Sequence, residues 1–227
     1  LRGPAAAAAE RERTIDDVTG LAPLACSPGE RQAVPLDHDA PREPPKPWGI
    51  AAMLLDPGRT SGPEMYRFLI SAVVPRPIAF VSTRAADGTT NLAPFSYFNA
   101  ISSAPPLVGI SIVERPGDEK DTLRNIRETG EFVVNLVCEP MLAAMAKTAG
   151  DWPRGTNEFE IAGLTPAPSE RVAPPWVRES PLQLECRLHR VVPLGNSFLV
   201  VGEVVLARVS DDVLTEGRVD PMKLAPV

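Results

Sequence analysis

Hydrophobic and polar residues alternate along several stretches of the chain, with the period of two that indicates β-strands. Extended runs are predicted at 78–83, 92–103 and 107–113, where apolar residues are interleaved with hydroxyls and amides. An Asp-Gly pair at 87–88 predicts the turn between the first two runs. The proline pair at 105–106 separates the second run from the third, because proline cannot donate to a sheet ladder.

The second half of the chain predicts further strands. Residues 131–137 are apolar enough to be covered on both faces. Residues 181–192 alternate as in a half-buried antiparallel strand. The apolar face of this strand consists of Leu182, Leu184, Cys186 and Leu188. The opposite face consists of Gln183, Glu185, Arg187 and His189. A hairpin turn at 194–197 leads into a strand at 197–209, in which Gly202 marks a bulge or bend.

Helical periodicity predicts helices at 61–70, 118–129 and 140–148. The first opens with a Ser61–Glu64 capping box, and the second ends at Gly130, which suits the left-handed C′ position. The apolar face of the first helix is expected to consist of Tyr66, Leu69 and Ile70. In the other two helices, the residues expected to face inward are Leu123, Ile126, Met141, Leu142 and Met145. Many strands and few helices predict a mainly β fold, a small closed barrel with helices at its rim.

The composition changes near residue 52. Residues 1–52 are rich in Ala, Pro, Arg and Glu, and we expect an atypical, disordered N-terminal extension without a function. Residues 53–227 are long enough for one domain with its own core. Within this domain, residues 150–165 are predicted as an ordered loop and residues 166–176 as a proline-rich connection.

Net charge and motifs exclude several classes of protein. The net charge of −6 argues against a nucleic-acid surface, since phosphate contacts need clustered Lys and Arg. No apolar run approaches the roughly 20 residues that a membrane helix needs. Neither a G-x-G-x-x-G motif nor a P-loop is present, so a Rossmann or P-loop nucleotide site is not supported.

The cysteines predict thiols rather than a metal centre. Cys26, Cys138 and Cys186 include no C-x-x-C pair, and their odd number predicts reduced thiols in a cytoplasmic protein. His38 and His189 complete no ligand spacing, so no metal site is expected. A catalytic pair of Cys186 and His189 is an alternative, but Cys186 lies on the apolar face of its strand, which favours a buried thiol.

Buried hydroxyls at a strand end and a cation at a helix start predict a site for a phosphorylated, flat cofactor. Ser82 and Thr83 end the first strand, and Lys120, Asp121 and Thr122 open the second helix. A phosphate dianion is favoured at a helix N-terminus, where free N–H groups and the helix dipole point at it. On the spacing alone, the alternative is that Asp121 caps the helix and Lys120 is solvated.

Arg76 and the aromatic residues of the second run are further candidates. Flanking prolines stiffen the backbone around Arg76, so its guanidinium is available for phosphate or for a dimer partner. A surface arginine on an edge strand is the alternative. Phe95 and Tyr97 lie on the opposite strand face from Ser96 and Phe98, and we expect the face of Ser96 and Phe98 to lie nearer the cofactor.

Five segments in order resemble one known family. They are VVPRPIAFVST, NLAPFSYFNAISSAPPLVGISI, KDTLRNIRETGEFVVNLV, NEFEIAGLT, and SPLQLECRLHRVV with GNSFLVVGEVV. Together they resemble the flavin reductase-like, FMN-binding split-barrel family, which includes flavoredoxin-like proteins. The resemblance implies a six-stranded antiparallel split barrel with flanking helices, and a homodimer with FMN at its interface. We expect the dimer to form through barrel strand surface at 133–137 or 200–205.

The resemblance also implies the residues that contact FMN. Residues 82–83 and 91–99 are expected to line the ribityl chain and ring, and residues 120–122 to lie near the phosphate. Asn99, whose apolar neighbours predict burial, is expected to bond the ring edge, with backbone across the proline break as the alternative partner. The expected cofactor-binding residues are Arg76, Ser82, Thr83, Asn91, Pro94, Phe95, Ser96, Tyr97, Phe98, Asn99, Lys120, Asp121 and Thr122. No acid–base residue is assigned, because the cofactor carries the chemistry.

The leading hypothesis is an FMN-binding oxidoreductase that moves electrons from NADH or NADPH to flavin and on to an acceptor. The alternative is an FMN-binding electron-transfer protein without a nicotinamide site, which takes electrons from another redox protein. Family members usually continue past residue 227 with a further C-terminal segment, and the shorter sequence favours this alternative. A flavin-free barrel that serves as a dimerisation module is a third hypothesis.

Overall fold

The computed structural model describes residue 49, residues 53–113, residue 117 and residues 119–227. The extension predicted at 1–52 therefore lies outside the described residues apart from Gly49, as do Cys26, His38 and the expected helix start at Asp118. The chain divides into two units, Leu1–Leu54 and Leu55–Val227. All the elements described below belong to the second unit, and the domain boundary at residue 53 stays a prediction.

Short helices and many strands alternate along the second unit. The helices are α1 (Gly62–Ala72), α2 (Asp121–Thr129), α3 (Leu142–Thr148), α4 (Glu158–Ala162) and α5 (Pro221–Leu224), with 3₁₀ turns at Glu139–Met141 and Asp211–Val213. The strands are β1 (Ala79–Arg84), β2 (Thr90–Phe95), β3 (Phe98–Ser103), β4 (Pro106–Val113), β5 (Glu131–Leu136), β6 (Pro166–Ala167), β7 (Trp176–Val177), β8 (Leu182–Leu194), β9 (Ser197–Val209), β10 (Leu214–Thr215) and β11 (Arg218–Val219). In this described part of the chain, no helix is both long and apolar enough to cross a membrane.

The main sheet has seven antiparallel strands in the order β2-β1-β5-β8-β9-β4-β3. The mainly β antiparallel fold with flanking helices is thereby confirmed, with one strand more than expected. The extra strand arises because the run predicted at 92–103 is two strands, separated at Ser96 and Tyr97. β2 pairs with β1, and β3 pairs with β4, so the two halves of this run lie at opposite edges of the sheet.

Both faces of the sheet are buried. One face contributes Val81, Ile110 and Phe132 to a cluster that also contains Leu123 and Ile126 of α2. The other face contributes residues to a second cluster with α3 and α4, which includes Phe80, Leu92, Val137, Met141, Met145 and Phe159. The prediction that residues 131–137 are covered on both faces is confirmed, because the consecutive residues 132–135 are all buried and successive side chains of a strand point to opposite faces.

Asn135 is a polar residue in the centre of this sheet and is fully buried. Its Nδ2 donates to the Phe80 carbonyl over 2.9 Å and to Ser82 Oγ over 3.2 Å. Its Oδ1 accepts the Val177 N–H over 2.8 Å. The amide therefore ties β5 to β1 and to the short strand β7, and its buried polar atoms are all satisfied.

The β8–β9 hairpin follows the predicted turn and contains two irregularities, one at Val205 of β9 and one at His189 of β8, next to the pair of Leu188 and Gly202. A Cβ at Gly202 would lie 2.7 Å from Cε1 of Phe132 and closer still to Cζ, so glycine is required by close packing. The predicted polar face of β8 is not solvent-exposed at its start. Gln183 and Glu185 are buried, and Glu185 accepts the N–H groups of residues 170 and 171 over 2.6–3.2 Å.

The helices differ from prediction mainly in which faces they bury. In α1, Glu64 Oε2 accepts the Ser61 N–H over 3.1 Å, as the capping box predicted, but none of its residues is buried. The α2 helix ends at Gly130 with φ 71°, as predicted. Leu142 of α3 is exposed, which corrects its predicted inward position. The predicted loop at 150–165 contains α4.

Candidate functional site

The start of α2 and the end of β2 form the walls of a groove of about 120 Å³, here called the helix-start groove. It contains six of the predicted cofactor residues: Asn91, Pro94, Phe95, Lys120, Asp121 and Thr122. The remaining wall comes from the α3–α4 region and consists of Thr148, Ala149, Gly150, Trp152 and Glu158, with Ala93 from β2. The predicted grouping of the β2 strand with the α2 start is therefore present in the structure.

Two buried amide–hydroxyl pairs hold α2 against the sheet. Asn91 Nδ2 donates to Thr122 Oγ1 over 2.9 Å, and Asn125 Nδ2 donates to Thr83 Oγ1 over 2.9 Å. Because the Thr122 hydroxyl accepts this bond, its own O–H hydrogen is still available as a donor. These pairs set the distance between the two walls of the helix-start groove.

Ser82 and Thr83 lie in the core rather than on either groove. Both side chains are fully buried. Ser82 Oγ donates to the Pro175 carbonyl over 2.5 Å and accepts from Asn135, and Thr83 accepts from Asn125. Their hydroxyls are thus bonded within the fold. Neither residue lines either groove, although Thr83 is the sheet partner of Asn91.

Charged groups surround the first turn of α2. Lys120 is the N-cap residue, and its Nζ lies 5.5 Å from the centroid of the Phe95 ring. The Asp121 carboxylate accepts from Arg124 Nη1 over 2.8 Å and lies 3.7 Å from Arg154 Nε. Asp121 therefore forms ion pairs in the first turn instead of capping the helix, which corrects that alternative interpretation.

A second depression of about 440 Å³, here called the turn groove, lies beside the β2–β3 turn. It contains the other predicted residues Arg76, Ser96, Tyr97, Phe98 and Asn99, together with Leu69, Val73, Pro75 and Pro77. Since the chain passes directly from Phe95 in one groove to Ser96 in the other, the two grooves flank a single turn.

Arg76 has a structural partner that the sequence did not indicate. Its Nη1 donates to the Ile70 carbonyl and, over 2.9 Å, to the Val73 carbonyl. The guanidinium thus bonds the last carbonyls of α1, a favourable place for a cation. Arg76 Nε and Tyr97 Oη are buried without a hydrogen-bond partner among the described residues.

The prediction that Phe95 and Tyr97 share one face of a continuous strand, opposite Ser96 and Phe98, is wrong. The strand is interrupted at Ser96 and Tyr97, so alternation does not continue from Phe95 to Phe98. Phe95 is buried and lies on the helix-start groove, whereas Tyr97 and Phe98 both lie on the turn groove. Asn99 is exposed, which shows that its predicted burial was wrong.

Glu158, the first residue of α4, belongs to the site but was not predicted. It is buried, lines the helix-start groove, and its Oε2 accepts the Leu92 N–H over 3.1 Å. Burial raises the pKa of this carboxyl, and the negative charge of Asp121 adds to the rise. The sequence pattern predicted a loop at residues 150–165. It therefore did not indicate that Glu158 is the first residue of a helix that packs into the core through Phe159.

The alternative catalytic pair of Cys186 and His189 is excluded by its geometry. Cys186 is fully buried, and burial raises the pKa of its thiol well above the usual value. His189 is exposed and lies at an irregularity of β8. A protonated, inaccessible thiol is not a nucleophile, so Cys186 is a core residue as its apolar phase predicted.

The residues of the two grooves fit a phosphorylated flavin. The helix-start groove supplies a helix N-terminus, a cation and a hydroxyl donor, which are the groups that hold phosphate. Its volume is below the roughly 300–1,000 Å³ of typical ligand sites, whereas the turn groove falls within that range and is largely apolar. A ligand with a phosphate at one end and an aromatic ring at the other matches this arrangement.

Comparisons with known proteins show what this chain is similar to. An uncharacterised protein of Halalkalibacterium halodurans is 43% identical over 182 residues, which are 77% of this chain and 87% of that protein. The solved structure of nitrilotriacetate monooxygenase component B from Bacillus cereus has a TM-score of 0.76 and 36% identity, covering 78% of this chain and 91% of the other. A split barrel domain protein from Shewanella frigidimarina has a TM-score of 0.68 and 26% identity, with 77% and 89% coverage.

The model of the flavin reductase like domain family matches residues 71–223. This range includes every residue that lines the two grooves except Leu69. The matched region also contains the whole seven-stranded sheet. This chain therefore belongs to the flavin reductase-like family and has its split-barrel fold.

Proposed function

We propose that this protein is an FMN-binding oxidoreductase that moves electrons from NADH or NADPH to flavin and on to an acceptor. The observation that carries the proposal is the helix-start groove, where Lys120 and Thr122 stand at the N-terminus of α2 beside the turn groove. A bound flavin would supply the hydride and electron chemistry, and the protein would supply binding, orientation and electrostatics.

The phosphate end of FMN is assigned to the helix-start groove. The first N–H groups of α2 have no partner within the helix, and the helix dipole favours a negative charge there. Lys120 contributes a full positive charge, and the Thr122 O–H contributes a donor whose direction is fixed by the bond from Asn91. Trp152 and Phe95 line the same groove and exclude water from its apolar side.

The flavin ring is assigned to the turn groove and its surroundings. Ser96, Tyr97 and Phe98 line that groove, and the Tyr97 Oη and Arg76 Nε atoms are buried there without partners among the described residues. A ligand or a second subunit that supplied polar atoms at this position would satisfy them. Ser82 and Thr83 are not assigned to the flavin. In this proposal they are core residues whose hydrogen bonds hold β1 in place beside the site.

A homodimer is part of the proposal, but through a different surface from the expected one. Val133, Val134 and Val200 are fully buried within the chain, so the strand surfaces first considered are not available. Instead, α1 and its C-cap residue Val73 expose a row of apolar side chains that includes Tyr66 and Leu69. The edge strand β3 is exposed along most of its length and includes Ile101.

An unpaired edge strand beside an exposed apolar helix is the kind of surface that subunits cover. The commonest closed arrangement is two-fold, so the proposed assembly is a two-fold dimer. We also propose a cytoplasmic location, because Cys138 and Cys186 are both free thiols.

A second candidate function is electron transfer by bound FMN without a nicotinamide site. The polar groups that line the helix-start groove and the turn groove are all assigned to FMN in this proposal, which leaves none of them for a nicotinamide nucleotide. The acceptor would then be reduced by electrons that arrive from another redox protein.

One set of measurements on the purified protein separates these functions. We expect flavin absorbance, or tight binding of added FMN to the apoprotein, and oxidation of NADH or NADPH that depends on FMN. Flavin binding without nicotinamide oxidation would favour the electron-transfer function. Absence of any flavin binding would contradict both and favour the third hypothesis, a flavin-free dimerisation module.

A further inference from the structure

Glu158 is a buried carboxylate on the wall of the helix-start groove. Its side chain is 8% exposed, and its Oε2 accepts the Leu92 N–H over 3.1 Å. Because β2 is an edge strand, this N–H faces away from β1 and needs an acceptor from elsewhere. A neutral amide or a hydroxyl would serve that purpose equally well, so the bond to Leu92 does not explain a carboxyl group in this position.

The charged surroundings of Glu158 are mixed. In the same groove lie Lys120 and Asp121, and the Asp121 carboxylate is paired with Arg124 and Arg154. The elements packed around α4 carry further ionisable groups, which are Glu160 on α4 itself, Lys147 on α3, and Asp151 and Arg154 on the connecting segment. β2 contributes no ionisable side chain.

We infer that a phosphate group enters the helix-start groove together with one proton, which Glu158 takes up from solvent as its carboxylate becomes a neutral carboxyl. This inference rests on the proposed function, since the phosphate is that of FMN. A phosphate dianion and a carboxylate on the walls of one small groove repel each other, and partial burial strengthens the repulsion. Protonation removes the repulsion and converts Glu158 from an acceptor into an O–H donor toward the phosphate.

The sign of the expected pH effect follows from proton linkage. Burial already raises the pKa of Glu158 in the free protein, and a phosphate dianion in the same groove would raise it further, so both effects favour the protonated carboxyl. If the complex binds one proton more than the free protein, the FMN dissociation constant rises with pH, by up to about tenfold per pH unit. The phosphate's own second ionisation, near pH 6, acts in the opposite direction and must be separated from it.

The test compares the wild-type protein with Glu158→Gln, which keeps an acceptor for the Leu92 N–H and cannot ionise. FMN affinity is measured by titration of apoprotein from pH 6 to pH 8.5. We expect the ratio of the wild-type to the variant dissociation constant to grow as pH rises, because the phosphate's own titration is common to both proteins. Riboflavin, which lacks the phosphate, should show a ratio that does not change with pH.

A matched control is Glu160→Gln, which makes the same charge change two residues away, at an exposed carboxylate that accepts from Asn157 and does not line the groove. This variant should keep the wild-type pH dependence. A second measurement needs no variant: calorimetry of FMN binding in two buffers with different ionisation enthalpies should give uptake approaching one proton per FMN near pH 7.5.

Specific results would overturn the inference. One such result is the same pH dependence of the FMN dissociation constant in the wild type and in Glu158→Gln. Another is calorimetry of the wild type that shows no proton uptake. Either result would show that Glu158 takes up no proton when FMN binds, without contradicting FMN binding itself. A wild-type protein that binds neither FMN nor riboflavin would instead contradict the proposed function, and the inference with it.

Discussion

The side-chain amide of Asn91 donates to the hydroxyl of Thr122 over 2.9 Å, and both residues are buried. This bond joins the edge strand β2 to the first turn of α2. The residues on either side of it, Phe95 on the strand and Lys120 before the helix, line the helix-start groove. This bond is therefore one of the two neutral amide–hydroxyl pairs that set the distance between the walls of the groove.

Replacing Thr122 by valine tests this bond. The valine side chain has the same shape but leaves the Asn91 Nδ2 without its acceptor, which should lower the free energy of unfolding by about 1–3 kcal/mol. Thr122→Ser is the matched control, since it keeps the hydroxyl and loses only a methyl group. Urea denaturation of the apoproteins measures the difference, and equal loss in both variants would show that packing of the methyl group matters more than the bond.

Lys120→Ala tests the phosphate assignment. Loss of a charge-assisted contact to phosphate should weaken FMN binding by about 1.5–3 kcal/mol, or roughly 10- to 150-fold, with little change in apoprotein stability. Lys147→Ala is the control, because Lys147 is an exposed lysine of α3 that does not line the groove. Fluorescence titration with FMN gives the dissociation constants, and an unchanged value for Lys120→Ala would remove this residue from the site.

Leu69→Glu tests the proposed dimer surface. Leu69 is 41% exposed on α1, and a charge there should convert the dimer into a monomer at micromolar concentration. Leu142→Glu on α3 is a matched control, since Leu142 is 43% exposed but lies outside the α1–β3 surface. Light scattering on both variants and the wild type measures the mass. A monomeric wild-type protein, or a Leu69→Glu variant that stays dimeric, would contradict the proposal.

Gly202→Ala tests the close approach of β9 to Phe132. The added Cβ would overlap the buried Phe132 ring, and we expect a loss of about 1–3 kcal/mol, which corresponds to roughly 2–4 °C in Tm per kcal/mol for a domain of this size. Gly62→Ala is the control, since a Cβ there meets no atom within 4 Å. If the overlap is responsible, adding Phe132→Leu to Gly202→Ala should restore part of the lost stability.

Local sequence patterns predicted where the helices and strands lie more completely than they predicted which elements pack against one another. The capping box at Ser61 and the left-handed Gly130 depend on residues within one turn, and both were confirmed. The apolar face of α1 was also identified, but amphipathicity says which face is apolar and not what covers it. In the described chain nothing buries that face, which is the basis of the proposed dimer surface.

The candidate site was predicted in part. Six of the thirteen expected residues line the helix-start groove and five line the turn groove, so most of them lie together in two neighbouring depressions. Ser82 and Thr83 line neither groove, and strand alternation cannot distinguish a buried hydroxyl bonded within the core from one that faces a ligand. Arg76 and Glu158 bond to backbone groups, and sequence spacing carries no information about such partners.

The three hydrogen bonds of Asn135 have a consequence for how the chain can assemble. In a strand, a shift of one residue moves every side chain to the opposite face. Such a shift in β5 would place the Asn135 amide among Val81, Phe132 and their apolar neighbours, away from the Phe80 carbonyl and the Val177 N–H. An amide buried without partners costs about 1–3 kcal/mol. A single polar side chain thus discriminates against misaligned pairing of strands that are otherwise rich in interchangeable valines.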